Sequence, residues 1–209
     1  MSQEAKRGYQ AEVYLALATI LQAITMTALG NEIAAAIKEL EYPELLWVFA
    51  TGLLSLVLCI TFWYIFVRDY FFGYRVISLT ATNHLMLASA IFSIGFLQFI
   101  AFQFLGEPRL WLTLVLLSLG VVFLNSWYIS HHIVFDRDDI RQAIHYDPGS
   151  RLLNIMFLAA VACLVLWYAL PAIDTFWFRG FTLVIVGAAL VLLVASSVKV
   201  FKKHLEVGS

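Results

Sequence analysis

Few residues in this chain have the chemistry to do more than fill space, and most of those lie inside long apolar runs. His84 follows Asn83 several positions into such a run. An imidazole there can relay a proton, respond to pH or ligate a metal. Gln22, Thr25 and Glu32 interrupt the first run. At about 100° per helical residue they fall within roughly 80° of one another, with Glu12 and Thr19 alongside. In the third run Asn83, His84, Gly95 and Gln98 share a helical face about 120° wide, and in the fourth Ser118 aligns with Asn125. Amides and hydroxyls in apolar surroundings need partners or a cavity, so these faces either bond helix to helix or line a polar path or pocket.

A second cluster lies in the longest polar stretch. His131, His132 and His145 stand near Asp136, Asp138, Asp139 and Asp147. Imidazoles and carboxylates together are what a divalent metal takes. The spacing fits no established motif: HExxH is missing, and His131 and His132 point about 100° apart on a helix. His131, His132 and Asp136 are therefore weak metal candidates, and a charged connector that fixes topology is the plainer reading. There is no P-loop, GxGxxG, GxSxG, potassium-filter sequence or arginine-repeat helix, and no cofactor is legible. Cys59 and Cys163 each sit mid-run and read as small buried hydrophobes.

The elements that must carry these groups follow from composition. Of 209 residues 62% are apolar and only 13% charged, whereas soluble domains carry about 25% charged residues. With a mean hydropathy of +0.88, most of the surface must face lipid. The net charge of −1 offers no face for nucleic acid. Charge-free windows mark the spans, because a charge at the bilayer centre is costly. Six occur: 13–31, 45–67, 76–106, 110–135, 152–173 and 180–198. Each can cross a core of about 30 Å once as a helix, and none shows the in–out alternation of a barrel strand.

The sequence thus predicts an all-α, polytopic membrane bundle of about six transmembrane helices in one domain. The spans run over about 13–37, 45–67, 77–105, 110–133, 152–172 and 180–200, with a polar connector at 136–151. Pro43, Pro108 and Pro171 fall at or near window ends, and Asp147-Pro148-Gly149 reads as a turn. Lys6 and Arg7 before an apolar run resemble a signal peptide, but Glu12, Gln22 and Thr25 interrupt it, so a retained first helix is expected. If the N-terminus is inside, ten of the thirteen lysines and arginines lie on the cytoplasmic side. That bias predicts both termini in the cytoplasm of a multi-pass plasma (inner) membrane protein.

Three functions compete on these residues. A channel or transporter for an ion or small solute, as a homo-oligomer, would use the polar faces of helices one, three and four. Gln22, Thr25, Glu32, Asn83, His84, Gln98 and Asn125 would line its path or pocket. A membrane sensor or accessory subunit would act on a cytoplasmic protein partner through segments 68–75 and 136–151. An intramembrane enzyme on a lipid-like substrate would draw on His84, His131 and Asp136. Helices five and six read as packing or lipid-facing elements.

Overall fold

A computed structural model describes residues 3–42, 44–72, 81–132 and 148–207, with side chains over most of that range. The described residues form six long helices, one short 3-10 turn and no strand. These are α1 (Gln3–Glu39), α2 (Glu44–Phe72), α3 (Ala81–Phe102), α4 (Pro108–His132), α5 (Pro148–Ala169) and α6 (Phe176–Val207). The 3-10 turn, Pro171–Ile173, links α5 to α6. Five helices contain segments long and apolar enough to cross a membrane, and α5 contributes a shorter apolar segment, Ile155–Ala169. The whole of α5, at 22 residues, rises about 33 Å. The protein is a helical membrane bundle of about six helices.

α2 is the hub. It packs against α1, α3, α4 and α6, while α1 also meets α3, α3 meets α4, α4 meets α5 and α5 meets α6. The main core runs through the bundle, with Leu58, Phe62, Phe102, Trp111, Val115, Trp167 and Val186 all nearly or fully buried, and a smaller cluster of Tyr14, Ala18, Leu87 and Ile91 joins α1 to α3. The outward faces keep large apolar side chains, among them Ile20, Leu53, Phe96, Leu124, Leu158 and Val184. Lipid satisfies such a surface, so the association of helices rests on close packing and hydrogen bonds rather than on escape from water. Gly95 supplies one close approach: a Cβ there would stand 3.2 Å from Leu21 Cβ, so its absence lets α3 lie against α1. Gly52 does the same for α2 under Ile33 of α1.

The connections α1–α2, α3–α4 and α5–α6 gather at one end of the bundle, called here the hairpin end. Their boundaries depart from the charge-free windows for local reasons. α1 stays helical to Glu39, past Gly30 and Glu32, which leaves only a short connection before Glu44 opens α2. The third window hides its own turn. α3 stops at Phe102, and Gln103 and Phe104 turn back through bonds to the Ile100 and Ala101 carbonyls, followed by Glu107 N–H to Phe104 O. This turn is apolar because Leu105 is itself buried. Pro108 then opens α4, where a proline costs no hydrogen bond. Pro148 and Gly149, read as a turn, open α5 in the same manner. α6 starts at Phe176 rather than near 180, because Thr175 caps it: its hydroxyl accepts from Phe178 N–H at 3.3 Å.

Candidate functional site

A seam of buried polar groups runs down α2. Thr51, Ser55 and Cys59 recur at i, i+4 and i+8, so they share one face, and none is more than 1% exposed. Each meets a different element. The Thr51 hydroxyl donates across to Leu105 O at 2.9 Å, as well as to its own Trp47 O at 2.7 Å. Ser55 Oγ accepts the indole N–H of Trp111 on α4 at 2.9 Å. Cys59 Sγ lies 3.6 Å from Thr25 Oγ1 on α1. Over about 12 Å of α2, the α3–α4 turn, α4 and α1 are therefore each tied to the hub by one polar contact. The sequence reading assigned polar faces to helices one, three and four. The α2 stripe escaped it because one threonine, one serine and one cysteine, four residues apart, barely change the hydropathy of their run.

Beside the seam, Gln22 of α1 and Gln98 of α3 meet. Gln22 Nε2 donates to Gln98 Oε1 at 3.0 Å, with Gln22 5% and Gln98 1% exposed. The predicted faces of the first and third helices do come together here, one turn from the Gly95 approach. The other halves of both amides, Gln22 Oε1 and Gln98 Nε2, are buried without a hydrogen-bond partner. The hydroxyl of Thr25, next along the face, is turned onto Gln22 O at 2.9 Å.

The remaining predicted residues divide. Glu32 and Asn125 are half-buried, and Ser118 is buried with its hydroxyl on Val115 O at 2.8 Å. The side chains of Asn83, His84, His131 and His132 lie outside the described residues, as does Asp136. Of segments 68–75 and 136–151, only the helical backbone of 68–72 and 148–151 is described. Among the described residues no group of three or more histidine, cysteine, aspartate or glutamate side chains is placed to hold a metal.

At the hairpin end the structure builds a second site from residues that carry no motif in the sequence. Asp174, just before the α6 cap, accepts from Arg179 Nε at 2.6 Å and from Arg109 Nη2 at 3.2 Å. Arg109 stacks near both Trp167 and Tyr168, 5.5 and 5.4 Å from the ring centres, and Arg179 lies 6.0 Å from that of Trp47. Tyr168 in turn shares a 3.2 Å contact with the hydroxyl of Thr113. Arg109, Trp167, Tyr168, Asp174 and Arg179, with Glu107 at the rim, line a cleft of about 460 Å³, within the size range of small-molecule sites. Its ion pair joins Arg109 to Asp174 across 65 residues of sequence. The sequence offered only the nearness of arginine to tryptophan, Arg109 near Trp111 and Arg179 near Trp177.

The Arg179 N–H bond, with smaller help from the charges of Arg179 and Arg109 and from the Trp167 indole, holds the Asp174 carboxyl below its ordinary range against a modest opposing effect of burial. The sign follows from linkage. A folded-state pKa below the unfolded one adds stability that is whole above the unfolded value, near 4, and drains as pH falls through the folded value. Asp174→Asn is therefore expected to lower the melting temperature at pH 7, and the gap from wild type should close as both are acidified below pH ~3. A gap that persisted unchanged at low pH would show that the carboxylate charge is not what the arginines hold.

No protein-family model, curated protein or solved structure matches the chain.

Proposed function

We propose that this protein is a small transport protein, a channel or carrier, that passes a neutral polar solute along the α1–α2–α3 seam. One observation carries the reading: Gln22, near the middle of the apolar span Glu12–Glu39, and Gln98, in the span Leu85–Phe102, are buried with one acceptor and one donor left unpaired. Each such atom costs about 1–3 kcal/mol in an apolar interior. A visiting hydroxyl or amide would satisfy both at once, accepting from Gln98 Nε2 and donating to Gln22 Oε1. The surroundings favour a neutral solute over an ion, since Leu21, Thr25, Cys59 and Gly95 bring no charge to the pair. Ten basic residues of thirteen on the side of the N-terminus support an orientation with both termini in the cytoplasm and the hairpin end outside. Assembly as a homo-oligomer in the plasma (inner) membrane belongs to the same proposal.

Osmotic shrinkage and re-swelling of proteoliposomes in urea and in glycerol tests it. Re-swelling faster than in empty vesicles is expected for at least one of these solutes. In the double variant Gln22→Leu/Gln98→Leu, which leaves no unpaired amide, the protein-dependent rate should drop about tenfold or more. Rates equal to those of empty vesicles, or undiminished in the double variant, would remove this function from the seam.

A further inference from the structure

The hairpin-end cleft is not used by the seam, and it combines features that point to a ligand of a different kind. Two guanidiniums face one carboxylate. The bonds to Asp174 engage Nη2 of Arg109 and Nε of Arg179, which leaves the other two nitrogens of each planar fork. Both arginine side chains are about a third exposed, at 31%, and both line the cleft. A third donor lies deeper. Trp167 is 2% exposed and lines the cleft, and no acceptor stands at good hydrogen-bond geometry to its indole N–H. Trp167 and Asp174 line the same cleft. The aromatic faces of Trp167, Tyr168 and Trp47 back the two cations and hold them in place.

We propose that this cleft binds an oxyanion, a phosphate or carboxylate group, between Arg109, Arg179 and the Trp167 N–H. Planar forks converging with an indole donor match the bidentate geometry of such groups. Asp174 is the internal anion that holds the forks together when the cleft is empty, and it competes with the ligand for the same nitrogens. Glu107 at the rim repels a bare anion and favours one that carries a positive group beside it. The oxyanion can come from a phospholipid headgroup at the membrane surface or from a soluble metabolite. The inference stands on the cleft alone and is independent of transport through the seam.

Binding is read from tryptophan fluorescence and melting temperature of the purified protein in a maltoside detergent, titrated separately with inorganic phosphate, acetate, phosphoethanolamine and a short-chain phosphatidylethanolamine. A saturable response to at least one probe is expected. Saturation by the phospholipid alone identifies a headgroup site, and saturation by a soluble probe identifies a soluble ligand. Arg179→Gln should weaken binding about tenfold or more, and Arg179→Lys less. Asp174→Asn should tighten it, because the competing carboxylate is gone, even while it lowers the melting temperature of the ligand-free protein. That opposition of signs separates a binding site from an ion bridge that only fastens helix ends. Failure of every probe to saturate, or affinity unmoved by both Arg179→Gln and Asp174→Asn, would overturn the assignment.

Discussion

Replacing Trp111 by alanine is expected to cost the bundle about 3 kcal/mol of stability. The indole is fully buried in the first turn of α4, and alanine leaves a cavity the size of two fused rings beside Leu112 and Val115. Lipid is as apolar as this core, so less is lost in transfer than in a water-soluble protein, and the missing van der Waals contacts supply most of the cost. A smaller part comes from Ser55, whose hydroxyl loses its donor at 2.9 Å. Trp111→Phe isolates that part: it keeps most of the packing and removes the N–H, for about 0.6–1.7 kcal/mol. Ser55→Ala should fall in the same range, and the pair together should cost less than their sum. Cys59 and Cys163 are both buried, so a thiol-reactive dye reports global unfolding of every variant without relying on tryptophan. A Trp111→Ala protein that melts with wild type would mean that α4 is not anchored here.

The second large effect concerns Gln22 and Gln98. Gln22→Leu or Gln98→Leu alone leaves the surviving amide buried without its one partner, at a cost of about 1–3 kcal/mol. Gln22→Leu/Gln98→Leu removes both amides and both of the atoms that are already unpaired. Its stability should therefore lie above the sum of the single losses, with a coupling near 1 kcal/mol, in the range of interhelical hydrogen bonds in membranes. Strict additivity in this cycle would show that the two side chains do not depend on each other. Read with the re-swelling assay, the cycle separates two roles. A stable double variant that has lost its solute flux marks the amides as a passage, whereas one with unchanged flux leaves them as packing glue.

Hydroxyls elsewhere in the spans show why polarity in a membrane helix is weak evidence of function by itself. Thr19, Thr27, Thr61 and Thr182 each donate to the carbonyl four residues back on their own helix. Their polarity is settled locally and asks nothing of a neighbour or a ligand. The glutamine amides differ because a side chain of that length, with two donors and two acceptor sites, cannot be satisfied by one backbone carbonyl. The same inventory singles out Trp167, whose N–H is as deeply buried as that of Trp111 but lacks an acceptor like Ser55.

The number of helices and their lipid-facing character followed from the sequence itself. The expense of charge in hydrocarbon is a property of each window and needs no neighbour, so Glu44, Arg68, Arg109 and Arg179 mark span limits wherever the helices sit. The alignment of Gln22 with Thr25 was equally legible, since helical pitch alone fixes it. Even so, local capping moved the ends: Thr175 started α6 ahead of Arg179, and a buried Leu105 let a turn pass as part of a span. Which faces meet was decided only by the tertiary structure. Nothing in the runs themselves pairs Gln22 with Gln98 rather than with Ser118, because that depends on Gly95 admitting Leu21 and on the register of two parallel helices. The α2 ladder and the Asp174 bridge to Arg109 and Arg179 are of the same kind. Their residues are separated in sequence and individually ordinary, and they become sites only where packing sets the distance between them.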